Sequence, residues 1–70
     1  MTVTIQKNTQ EEIRISREDF KGHDVVNLRV WYLAKDGEKH PTKKGVAFSA
    51  ALLPDIQQAL AEMAQEGGAL

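Results

Sequence analysis

The chain has no cysteine, so neither a disulfide nor a thiolate metal site can staple it. Proline is scarce, with only Pro41 and Pro54, and the aromatic set is Phe20, Trp31, Tyr32 and Phe48. No apolar run approaches the roughly 20 residues that cross a bilayer. The first ten residues, MTVTIQKNTQ, lack the basic-then-apolar pattern of a secretory leader. A cytoplasmic location and no membrane partner are therefore expected. There is no repeat and no low-complexity tract. Catalytic machinery is missing too: no cysteine nucleophile, no phosphate-cradling loop, and no histidine–carboxylate pair with an obvious third member. Neither an enzyme nor a cofactor is expected. His23, His40 and Asp24 lack the short ligand spacing of a metal site, so no metal is expected either.

Seventy residues make one small domain with a thin core, and 41% of them are hydrophobic. A short chain without staples often recruits a partner chain for buried surface. The formal net charge is −1, but the charge is unevenly placed. All nine Lys and Arg lie in residues 1–48 against seven acids, giving +2; residues 49–70 carry three acids and no Lys or Arg, giving −3. The stretch Phe20 to Phe48 holds every aromatic, six of the nine Lys and Arg, both histidines and three of the five glycines. Cations and aromatics gathered on an extended segment suit a charged polymer with flat bases.

Alternation of Val3 and Ile5 with polar neighbours predicts a short strand, and Ile13 and Ile15 predict a second after the polar turn Lys7–Gln10. Gly22 marks the next turn. Asp24 to Leu33 is the strongest strand, with Val26, Leu28, Val30 and Tyr32 on one face and Asn27, Arg29, Trp31 and Leu33 on the other. Asp36-Gly37 is a hairpin turn. Pro41 makes the return segment Glu38–Lys44 an edge or a loop, and Val46–Phe48 closes the last strand. Ser49 is a good N-cap. Beyond it, Leu52, Leu53, Ile56, Ala59, Leu60, Met63 and Ala64 fall within an arc of roughly 140°. That pattern predicts an amphipathic helix of about 15 residues, which starts after a separate turn or is kinked at Pro54 and ends at Gly67-Gly68. The domain spans 1–66, with residues 67–70 as a frayed tail. Four strands and then one helix imply that the helix covers one sheet face and leaves the face of Arg29 and Trp31 open.

Several short motifs come in a telling order: Asp19-Phe20-Lys21-Gly22, Leu28-Arg29, Trp31-Tyr32, Asp36-Gly37-Glu38, then Pro41 with Lys43-Lys44-Gly45. Each alone is common. Their joint order and spacing, followed by a terminal helix, resembles the positive cofactor four family of single-stranded-DNA-binding transcriptional coactivators, in its bacterial form. The resemblance covers about residues 12–66. It implies an α+β fold, a curved four-stranded antiparallel sheet followed by one C-terminal helix, assembled as a homodimer. It also implies channels for single-stranded DNA, with RNA as a second candidate ligand and the transcription machinery as a candidate partner. A nucleoid-associated protein in the cytoplasm follows. The long regulatory extension of the eukaryotic members is not seen in this sequence.

The resemblance assigns base stacking and phosphate binding to Phe20, Lys21, Arg29, Tyr32, Lys43 and Lys44. His23, Tyr32 and Lys43 stand where the family often has lysine, tryptophan and arginine. Lys39 extends the basic path, and Gly45 would let a nucleic-acid backbone approach closely. Trp31 and Tyr32 compete. Strict alternation puts Trp31 beside Arg29, whereas the resemblance puts Tyr32 there and so demands a bulge between residues 29 and 32. Leu53, Ile56, Leu60 and Met63 are the expected dimer interface. A protein-interaction module that uses Trp31 and the sheet edge is the rival reading.

Overall fold

A computed structural model describes residues 1–67. Strands β1 (Thr2–Gln6), β2 (Glu11–Phe20), β3 (His23–Leu33) and β4 (Lys39–Ser49) pair antiparallel in the order β1-β2-β3-β4. A 3-10 turn, Ala50–Leu52, leads into α1 (Leu53–Gly67). This is the α+β architecture expected, an open sheet followed by one helix.

Each connection has a local cause. The Asn8 side-chain oxygen accepts from the backbone N–H groups of Gln10 and Glu11 at 2.9 and 2.8 Å, which folds the β1–β2 turn. Lys21 and Gly22 both take positive φ, 53° and 81°, the signature of a two-residue turn matched to strand twist. Asp19 closes that turn by accepting the Gly22 N–H at 2.9 Å. Gly37, at φ 84°, turns the β3–β4 hairpin. The return segment is a strand from Lys39 onward, and Pro41 fits because β4 lies at the sheet edge.

Register assigns the faces. Ile13 opposes Val30, Ile15 opposes Leu28, and Val26 and Leu28 oppose Phe48 and Val46, which makes one face apolar. Arg14 opposes Arg29, Ser16 opposes both Thr2 and Asn27, and Glu12 opposes Trp31, which makes the other face polar. On β4 the residues of this polar face opposite Arg29, Asn27 and Val25 are Gly45, Ala47 and Ser49. All three are small, so the face stays open along that edge.

The helix does not cover the sheet, contrary to the sequence expectation. Ser49 Oγ caps the 3-10 turn, accepting from Ala51 N–H, and Pro54 sits in the first turn of α1, where its missing N–H costs nothing. That extra turn directs the helix away. Leu53 and Ile56 are half-buried, while Leu60 and Met63 are 57% and 65% exposed. Val26 is the one buried hydrophobic residue among those described. The Cα radius of gyration is 14.2 Å, against about 11 Å for a compact chain of this length. Gly67 closes α1, and the rest of the expected tail lies outside the described residues.

Candidate nucleic-acid interface

The polar face is built on β2 and β3. A groove of about 400 Å³ runs across it, walled by Arg14, Ser16, Asn27, Arg29, Trp31 and Pro41. Two arginines directly opposite one another repel, an arrangement that ordinarily destabilises a sheet. Here each guanidinium is held by other groups. Arg29 Nη1 donates to the Thr42 carbonyl at 2.9 Å, and Thr42 Oγ1 donates to the Val30 carbonyl at 2.8 Å. Arg14 Nε donates to Glu12 Oε2 at 2.6 Å, while its guanidinium carbon lies 3.9 Å from the Trp31 ring centroid.

Glu12 anchors this arrangement. It is the one buried charged residue among those described, at 3% exposure, and Lys39 is its second cationic partner. Hydrogen bonds from Lys39 and then Arg14 hold its carboxyl below the usual carboxylate range, against the opposing effect of burial. Removing either cation leaves a buried charge short of a partner, so the three side chains stand or fall together.

The expected site residues divide. Arg29 and Trp31 line the groove together, whereas Lys39 does not line it, its charge committed to Glu12 opposite Trp31. Phe20 lies on the same face at the far end of β2, 61% exposed, with Lys21 Nζ 5.5 Å from its ring centroid. His23 opposes Phe20 in register and is exposed. Lys43 and Lys44 are exposed in a bulge where residues 42–44 face Val30 alone.

Tyr32 is not brought to Arg29. It opposes His40, with ring centroids 6.2 Å apart, on the face away from Trp31. The bulge demanded by the resemblance exists between Arg29 and Trp31, but its extra residues are in β4 and number two. Alternation along β3 is therefore unbroken. Gly45 also differs from expectation. Its close approach is to the neighbouring strand, since an added Cβ would fall 2.5 Å from the Leu28 carbonyl oxygen and 2.9 Å from Arg29 Cα.

Asp36, Glu38 and His40 bring one potential ligand atom each within 4.8 Å of one another. The Asp36 and His40 groups already serve the hairpin. Asp36 accepts the Glu38 N–H at 2.9 Å and lies 3.0 Å from His40 Nε2, and those two bonds lower its carboxyl.

Sequence reasoning missed Arg14, Ser16, Glu18 and Asn27. The signal was available: Glu12, Arg14, Ser16 and Glu18 alternate with Ile13 and Ile15, so they occupy the face opposite the isoleucines. Asn27 stands out because its Oδ1 is enclosed with no hydrogen-bond partner, which costs about 1–3 kcal/mol in a folded chain.

A family model described as Transcriptional Coactivator p15 (PC4) matches residues 7–59. Among solved structures, a PC4 homolog from Burkholderia pseudomallei superposes with a TM-score of 0.83 at 30% identity, covering 91% of this chain and 86% of that one. A second crystal form of that homolog gives 0.81 at 29% identity, over 91% and 96% of the two chains. The bacteriophage T5 homolog of the eukaryotic transcription coactivator PC4, implicated in recombination-dependent DNA replication, gives 0.80 at 22% identity over all of this chain and 82% of that one. No curated protein sequence matches the chain significantly.

Proposed function

The chain belongs to the transcriptional coactivator p15 (PC4) family, whose members bind DNA, and on that premise we propose that it captures single-stranded DNA as a homodimer, in transcription, replication or repair. The observation that carries this reading is the pairing of Arg14 with Arg29 beside Trp31 on an open polar face. Arg14 gives Glu12 one N–H and Arg29 gives Thr42 one, so each guanidinium keeps further donors, and a phosphate can take these bidentately. Trp31 alongside, and Phe20 at the other end of the face, offer rings on which bases stack whatever their identity. A duplex hides its base faces and gains only the charge contacts, so single strands are the preferred ligand.

The homodimer is supported by what one chain leaves open. Leu60 and Met63 are exposed on α1, and Val3, Ile5 and Val46 are about half exposed on the apolar sheet face. A chain with Val26 as the one buried hydrophobic residue among those described gains its core by pairing.

Fluorescence anisotropy of labelled oligo-dT, oligo-U and duplex DNA at two salt concentrations tests the reading. Oligo-dT is expected to bind above duplex, with log affinity falling against log salt by about 0.7 per phosphate engaged. A flat salt response, or duplex preferred over oligo-dT, rejects it. Oligo-U binding as tightly as oligo-dT would extend the ligand class to RNA.

A further inference from the structure

Between Phe20 and the Arg29–Trp31 groove lies a second, smaller cavity of about 240 Å³, lined by Glu18, Phe20, Val25, Asn27 and Ala47. Its make-up differs from that of the groove. Phe20, Val25 and Ala47 give it apolar walls, and no lysine or arginine lines it. Its polar groups are a carboxylate and an amide. Ser16 Oγ donates to Glu18 Oε1 at 2.9 Å, which steadies the carboxylate and leaves Oε2 without a hydrogen bond among the described residues. Asn27 Oδ1 is the enclosed acceptor with no partner. A face that binds a polyanion gains nothing from a carboxylate and an unanswered acceptor unless a donor arrives with the ligand.

Resting on the single-stranded-DNA reading above, we propose that this cavity is a base-reading subsite that favours guanine, stacked on Phe20 and hydrogen-bonded along its Watson–Crick edge to Glu18 and Asn27. The chemistry selects among four bases. Two neighbouring acceptors match two neighbouring donors, and only guanine presents these, N1–H beside the N2 amino group. Adenine and cytosine each offer one amino donor beside a ring nitrogen that accepts, so the second contact would be repulsive. Thymine offers N3–H between two carbonyl oxygens. Oδ1 is enclosed in the free chain, and the broad terminal torsion of asparagine lets the amide rotate to present it to the cavity when the base enters. The small size, below the usual range for pockets that enclose a whole ligand, suits one flat base with its sugar and phosphate outside. Lys21 at the rim, near the Phe20 ring, is placed for that phosphate.

The test measures affinity of the wild-type chain for oligo-dT of about 16 nucleotides, the upper site size for one small sheet domain, carrying a single central substitution. One dG is expected to bind about tenfold tighter than all-dT, the gain of one net charge-assisted contact pair. Deoxyinosine, which lacks the 2-amino group, should lose most of that gain. 7-Deaza-dG, which alters only the opposite edge, should keep it. Glu18→Gln and Asn27→Ala, checked for folding by circular dichroism, should shrink the dG/dT ratio below about twofold. Equal binding of dG and dT, or deoxyinosine equal to dG, overturns the subsite while leaving single-strand binding intact. Failure to bind any oligonucleotide overturns both.

Discussion

The guanidinium of Arg14 lies over the ring of Trp31 at 3.9 Å, one strand away from the arginine that Trp31 accompanies on β3. The contact covers one side of the indole. Both partners keep their remaining surface on the open polar face.

The first expectation concerns this pair. Trp31→Ala should lose about 1–3 kcal/mol of oligo-dT affinity, and a Trp31–Arg14 double-mutant cycle on stability should show coupling of about 0.5–1 kcal/mol. Tyr32→Ala, altering a ring on the opposite face beside His40, should leave affinity within about twofold, under 0.5 kcal/mol. Titration of the two single variants with oligo-dT decides the matter; a loss confined to Tyr32→Ala would restore Tyr32 to the site, as the resemblance implied.

Lys21 sits at φ 53°, where a side chain costs about 1–2 kcal/mol relative to ordinary backbone. Lys21→Gly should therefore raise stability by up to about 1 kcal/mol after glycine's own entropy cost, while the salt slope of DNA binding drops by about 0.7. Urea unfolding and anisotropy on one preparation read both. A residue that binds nothing would show the first change without the second.

Glu12 sets an acid limit. Its carboxyl is lowered by Lys39 and then Arg14, so the folded form holds its proton less readily than the unfolded chain. The stabilisation is complete above the ordinary glutamate value of about 4.3 and is lost as pH falls through the lower folded value. Glu11, Asp24 and Asp36 shift the same way. Glu12→Gln should be less stable than wild type at neutral pH, with the gap closing in acid. A gap that stays constant with pH would show that the ion pairs contribute nothing.

Gly45→Ala would drive a methyl group into the Leu28 carbonyl and Arg29 Cα. The expected cost is about 1–3 kcal/mol of stability, with weaker oligo-dT binding because Arg29 moves with its strand. Urea unfolding of the variant at wild-type stability would show that the β3–β4 spacing adjusts freely.

Assembly is tested at Leu60, which is exposed in the single chain. Leu60→Asp should convert a dimer in sedimentation velocity to a monomer of lower melting temperature. A wild-type chain that sediments as a monomer at micromolar concentration rejects pairing through α1.

The sequence by itself determined the elements and their faces. Period-two alternation along Asp24–Leu33 separates Val26 and Leu28 from Arg29 and Trp31, because successive strand residues point to opposite sides. The positive-φ turns were legible at Gly22 and Gly37, and the helix length was legible in its apolar arc. Tertiary structure alone decided which strand absorbed the bulge. Two extra residues in β4 leave the parity of β3 unchanged, so Tyr32 stays opposite Trp31, and nothing in β3 encodes that. It also decided that Lys39, 27 positions from Glu12, pairs with that buried carboxylate, and that α1 stands clear of the sheet. Local pattern fixes where a side chain points. Pairing partners and the direction of a terminal helix depend on contacts distant in sequence, and a one-dimensional pattern does not carry them.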